Sequence, residues 1–279
     1  MTTQPAPPVT TGHSSWRRLW WVLVVAWGLV LTAVALASAR TDPPTVREQR
    51  SIAQAQPIVD RALAEVARAA GPVAVVEVLG YELRPDCQIH SARDGLELDR
   101  VVLLHTAPGG EAAVLDRVAA QLPRGWEPVV RRQASGNVTL RADAGEFVGV
   151  HGGVVGPGQL RVTAGTGCRP AAPLTTAGAP APDRAVATVD AVLSTLGGRA
   201  AQRRTESVVC PGGGAVTTVA ADSAPGLAPG PLPQALRGVA PAGPVVAEPA
   251  LLAYRDGDLG VVVRERDGVV TVSATRGCG

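Results

Sequence analysis

The sequence predicts an α+β protein: an N-terminal transmembrane helix followed by two tandem, related two-layer α/β-sheet units, each braced by one disulfide. Three observations carry this expectation. An uncharged, almost wholly apolar run fills residues 19–37. Two distant segments end alike, Arg161-Val-Thr-Ala-Gly-Thr-Gly-Cys168 and Thr271-Val-Ser-Ala-Thr-Arg-Gly-Cys278. Each ending follows an apolar strand pattern, at 147–150 and at 259–262, and one earlier cysteine, Cys87 or Cys210. The four cysteines therefore fall into two pairs, one per copy of a repeated unit.

Residues 1–18, rich in Thr and Pro at the start, read as a disordered cytoplasmic tail. Residues 19–38 read as the transmembrane helix, since roughly 20 apolar residues span the hydrocarbon core of a bilayer. Arg17 and Arg18 precede the run and no acidic residue comes before it, which places the N-terminus in the cytoplasm and the remainder outside. Trp16, Trp20, Trp21 and Trp27 lie in or beside the run, and the first three sit near its cytoplasmic end, where amphipathic rings favour the headgroup region. A cleaved signal peptide is the competing expectation, because Ala37-Ser-Ala39 resembles a cleavage site. Either way the bulk of the chain is exported. Residues 39–50, with Pro43-Pro44, read as a stalk.

The first unit spans 51–169. Ile58, Val59, Leu63, Val66 and Ala70 recur at helical spacing, and Gly71-Pro72 ends that helix. Strands follow at 73–79, leading to Cys87, and at 98–105. A second helix occupies 111–122, with Val114, Leu115, Val118 and Leu122 on one face. Short strands at 125–131, 138–141, 147–151 and 159–164 complete the unit. Residues 170–183, rich in Ala, Pro and Thr, read as a linker. The second unit, 184–279, repeats the order: a helix at 184–196, strands at 205–209 and 217–220, and a short helix at 234–239. Strands at 247–255, 259–264 and 269–274 then lead to the closing Gly-Cys. Helices on one face of a mostly antiparallel sheet make a two-layer unit.

In an oxidising compartment the four cysteines are expected as disulfides, and the repeat favours Cys87–Cys168 with Cys210–Cys278 among the three pairings available. None of the cysteines has the Cys-x-x-Cys spacing of a zinc or redox site.

Every basic residue is arginine, the bias of a GC-rich bacterial genome. The absence of lysine excludes a P-loop, a Schiff-base mechanism and a Ser-x-x-Lys catalytic site. Setting Arg17 and Arg18 aside leaves 24 arginines against 24 acidic residues. The exported part therefore lacks the overall basic excess that nucleic acid capture requires. Local basic patches at Arg131-Arg132, or at Arg199 with Arg203-Arg204, read as solvated surface. No nucleophile elbow, dinucleotide fingerprint or His-Glu-x-x-His motif occurs, so no catalytic, cofactor or metal residues are assigned.

The leading expectation is a non-enzymatic, single-span binding or assembly module of the bacterial cell envelope. Its partner would be an envelope protein or cell-wall component, bound at the groove between the units. One alternative is an extracytoplasmic hydrolase or metal-dependent enzyme that assembles His90, His105 and His151 of the first unit. Another is a purely structural spacer subunit.

Overall fold

A computed structural model describes residues 14–41, 50–90, 93–134, 136–175, 178–240 and 243–278. Most of the expected cytoplasmic tail and of the stalk, including Pro43-Pro44, lies outside the described residues.

The N-terminal helix α1 (Ser14–Thr41) is apolar all round, and its stretch Arg18–Ala37 is long and apolar enough to cross a membrane. Such a segment serves equally as an anchor or as a signal sequence. The disulfides described below suggest an extracytoplasmic setting for the rest of the chain.

The remainder forms a separate compact body built from two like units. The first contains α2 (Ile52–Ala70), β1 (Val75–His90), β2 (Arg93–His105), α3 (Glu111–Gln121), β3 (Val129–Arg132), β4 (Val138–Asp143), β5 (Val148–Gly156) and β6 (Gln159–Thr166). The second contains α4 (Asp183–Thr195), β7 (Ala200–Val209), β8 (Ala215–Ser223), a one-turn helix α5 (Leu232–Ala235), β9 (Pro244–Glu248), β10 (Leu251–Asp256), β11 (Leu259–Arg266) and β12 (Val269–Arg276). Both sheets have six strands, in the orders β1-β2-β6-β5-β4-β3 and β7-β8-β12-β11-β10-β9. All their pairings are antiparallel. The duplication seen in the two Gly-Cys endings is thus a duplication of topology, and β6 and β12 are equivalent inner strands.

Three details differ from the sequence reading. β1 and β2 form one long hairpin that carries Cys87 inside β1, so the first strand does not stop near residue 79. Trp126 belongs to a 3-10 turn that buries its indole in the core, rather than to a strand. The run 247–255 is two strands, β9 and β10, separated at Pro249-Ala250. Proline breaks the ladder there, which restores the strand count of the first copy.

Cys87–Cys168 and Cys210–Cys278 are bonded, with Cα–Cα distances of 5.8 and 5.9 Å, inside the range that disulfides favour. Each joins the far end of the first strand of a unit to the residue pair that follows its last strand.

The two cores are built alike. In the first unit the even-numbered positions of β4–β6 (Leu140, Val150, Leu160, Val162) meet Val59, Leu63 and Val66 of α2 and Val114, Leu115 and Val118 of α3. In the second, Val261, Val263, Val270, Val272 and Tyr254 meet Val189, Val192 and Leu193 of α4. The opposite, helix-free faces differ. That of the second sheet is covered by β1 and α2 of the first unit. A small core of Val75, Val246, Leu251, Ala253 and Val262 seals one side of this contact. Burying a valine or leucine there contributes about 1.5–3 kcal/mol.

The contact also solves an edge problem. β1 ends its sheet, and an unpaired strand edge invites aggregation. The Val78 N–H donates to Thr218 Oγ1 at 3.0 Å, and Thr218 is itself bonded to Thr275 at 2.8 Å. Arg255 donates to the carbonyls of Gly71 and Ala74 just before the strand. Side chains of the second sheet thus satisfy backbone groups along and beside β1. Gly260 permits the close approach: a Cβ at that position would lie 3.0 Å from Val75 Cγ1.

Candidate functional site

The N-terminal half of α2 begins at Ser51, whose N–H donates to Gln54 Oε1 at 3.0 Å. Ala53, Gln56, Pro57 and Asp60 then recur at helical spacing on one stripe. With Tyr81 of β1 and Ser207–Val209 of β7, this stripe lines a groove of about 560 Å³ between the two units. Pro57 has no N–H to offer the Ala53 carbonyl, so a helix acceptor loses its usual donor beside the groove.

The groove floor is a hydrogen-bonded network centred on Arg100, which is 2% exposed. Its Nη1 donates to Asp60 Oδ1 at 2.7 Å and to the Tyr81 hydroxyl at 3.1 Å. Its Nη2 donates to Glu206 Oε2 of the second unit at 3.2 Å, and its Nε to the Leu79 carbonyl at 3.1 Å. The guanidinium lies 4.3 Å from the Tyr81 ring centroid, a cation–π distance. Gln56 donates to Tyr81 Oη at 2.8 Å and to the Thr175 carbonyl at 2.6 Å, which holds the linker against α2. Burial, together with the hydrogen bond to Asp60, pushes the Tyr81 hydroxyl up to about 12, so it stays protonated and donates to that carboxylate at 2.7 Å.

A second buried cluster lies where β1 and β2 meet β11. Arg264 pairs with Glu77, which is 1% exposed, and His105 Nε2 lies 3.8 Å from the same carboxylate. Burial pushes the Glu77 carboxyl up. The His105 ring and the Arg264 guanidinium more than offset it and hold the group at about 2. Among the described residues, both His105 ring nitrogens are buried without a hydrogen-bond partner.

The three histidines do not come together. His105 is buried at the inter-unit contact, and His151 is exposed on β5. The backbone of His90 pairs with Arg93 at the far end of the β1–β2 hairpin, roughly 40 Å along the strand from His105. The His90 side chain lies outside the described residues. Among the described residues no group of three or more His, Cys, Asp or Glu side chains is placed to hold a metal ion.

The arginine patches are also rearranged. Successive strand residues point to opposite faces, so Arg132 reaches Asp116 on the helix side while Arg131 lies on the helix-free side. Arg203 and Arg204 pair with Asp190 and Asp222.

Sequence reasoning missed Asp60, Arg100 and Glu206, and Glu77 with Arg264. The signal was present for Arg100: Asp99-Arg100 interrupts an apolar run that extends from Leu98 to Leu104. A charge in such a run is retained when it is paired.

No protein-family model matches the chain, and no curated protein matches it. Among solved structures it is similar to the crystal structure of a DUF4853 family protein from Actinomyces odontolyticus. The two are 14% identical, over 61% of this chain and 93% of that one, with a TM-score of 0.34.

Proposed function

We propose that this chain is a membrane-anchored, extracytoplasmic and non-enzymatic module of the bacterial cell envelope, which binds a partner in the groove between its two units. Its N-terminus is cytoplasmic, a topology supported by Arg17 and Arg18 at the head of the apolar helix.

The observation that carries the reading is the groove itself. Its volume of about 560 Å³ falls within the range of ligand sites, which favour domain junctions. Its walls are apolar at Pro57, Val208 and Val209, and its floor presents the partly exposed Asp60 carboxylate as an acceptor. Such a groove suits an envelope protein or cell-wall component that presents hydrogen-bond donors. A nucleic acid, which brings phosphates, would meet the Asp60 carboxylate instead.

A photo-cross-linking residue placed at Ala53 or Val209 in living cells tests this. We expect discrete adducts from both positions, weakened by Asp60→Asn, and none from the same residue at the exposed Arg237. Equal labelling at all three positions, or none at the groove, overturns the reading.

A further inference from the structure

The duplication supplies an internal comparison that the groove does not use. On the helix-free face of the first sheet, the strand register sets Val129, Arg141, His151, Thr163 and Val101 side by side in one row. The equivalent row of the second sheet is Val246, Ala253, Val262, Ser273 and Ala220. Thr163 and Ser273 each lie five residues before the closing cysteine, so the match is one of position as well as of order. In the second sheet the row is apolar at its centre and buried under the first unit. In the first sheet the same places hold Arg141 and His151, both exposed.

The neighbouring row of the first sheet adds Arg131, Thr139, Gly153 and Arg161. Arg161 is paired with Glu82, and Arg84 with Asp99 and Glu97. Arg131 and Arg141 make no ion pair among the described residues, and they are diagonal neighbours on adjacent strands, roughly 7–8 Å apart. That backbone spacing lets both long side chains reach a single oxyanion with their planar donor forks. Thr139 and Thr163 add hydroxyl donors alongside, and Gly153, between Thr139 and Arg161, leaves a gap in the row.

We infer that this face binds an anionic polymer of the extracytoplasmic space, one that carries phosphate or carboxylate groups at intervals along its chain. Arg131 and Arg141 hold one oxyanion, and His151 with Arg161, whose charge is shared with Glu82, meets the next. Arg131 and Arg161 are three strands apart, roughly 14 Å, which suits spaced charges. The face also carries Asp143, Asp99 and Glu82. Those carboxylates oppose a uniformly anionic lipid surface but leave room for a chain threaded between them. This site is separate from the inter-unit groove and does not depend on it.

The test uses the full chain in neutral detergent. Binding is measured against immobilised poly(glycerol phosphate) and polygalacturonate, with phosphatidylglycerol vesicles as a third arm. We expect binding to at least one polymer at low ionic strength, weakening as salt rises. The double variant Arg131→Ser, Arg141→Ser should bind that polymer at least tenfold more weakly. The double variant Arg203→Ser, Arg204→Ser, which removes the same formal charge elsewhere, should bind as the wild type does. Failure to bind either polymer, equal weakening by both double variants, or a preference for vesicles over both polymers would overturn the inference.

Discussion

Replacing Glu77 by glutamine removes the one carboxylate that joins β1 to Arg264 of the second sheet while keeping its shape. Breaking a fully buried ion pair by losing one partner costs about 3–5 kcal/mol, and the 30% exposure of the Arg264 side chain puts this pair at the lower end, about 3 kcal/mol. The pH dependence gives a second measure. The folded carboxyl lies at about 2, against an ordinary value of 4.5. A depressed folded value means that the contribution is present above pH 4.5 and is lost as pH falls towards 2. At 1.36 kcal/mol per unit, the loss is about 3 kcal/mol over that window. Urea denaturation of the full chain in neutral detergent, repeated from pH 7 to pH 2, reads both effects. The Glu111 and Asp222 carboxyls are also held below their ordinary values, and they contribute equally to both proteins. Subtraction therefore isolates Glu77. We expect the variant to be about 3 kcal/mol less stable at pH 7, with the gap closing as the pH approaches 2. A gap under about 1 kcal/mol at pH 7, or one that stays constant down to pH 2, would refute the assignment of this pair as the buried inter-unit lock.

Gly260→Leu drives a side chain into Val75 and should cost about 1–3 kcal/mol, read as faster amide exchange in β1 than in β5. Arg100→Met strands Asp60 and Glu206. We expect a loss of about 2–3 kcal/mol in urea, below that of a fully buried pair because both carboxylates keep some water. The double change Cys87→Ser, Cys168→Ser opens a loop with a sequence separation of 81 and should lower stability by roughly 4.5 kcal/mol, and reductant acting on the wild type should lower it further because it opens Cys210–Cys278 as well. Arg141→Ala with His151→Val converts the open row into the buried type. It should produce concentration-dependent self-association in light scattering that the wild type lacks, since an exposed apolar sheet face seeks cover.

The parts of the fold legible in the sequence are those written in short-range pattern. The alternation at Leu160, Val162 and Ala164 marks a strand with one buried face, and the helical spacing of Val59, Leu63 and Val66 marks α2. The pairing of the cysteines followed from repetition rather than from local chemistry. The inter-unit contact was not legible, because it depends on residues far apart in sequence. Glu77 and Arg264 are separated by 187 positions, and each alone reads as an ordinary strand-surface charge. Arg100 is similar: its charge within an apolar run signals a partner, but Asp60 and Glu206 lie 40 and 106 residues away. The Arg131-Arg132 pair misleads for the opposite reason. Neighbours in sequence read as one patch, whereas the pleat of β3 sends them to different faces.

The two copies also differ in what their helix-free faces must do, and that difference is composed of few residues. Val262 and Ala253 make the second face a docking surface; His151 and Arg141 at the same places prevent the first from becoming one. A duplicated sheet with two apolar free faces would have an unsatisfied surface left over after one intramolecular contact, and would pair with further copies. Charge on one face removes that outcome whatever else it does. The arrangement of that charge goes further than solubility requires. Arg132, Arg161, Arg203 and Arg204 each face a carboxylate. Arg131 and Arg141, diagonal neighbours on β3 and β4, have no such partner among the described residues, although a carboxylate at Thr139 would have served for solubility equally well. Blocking self-association accounts for the polarity of this face. It does not by itself call for two arginines on neighbouring strands without a carboxylate between them, whereas the proposed anionic ligand does.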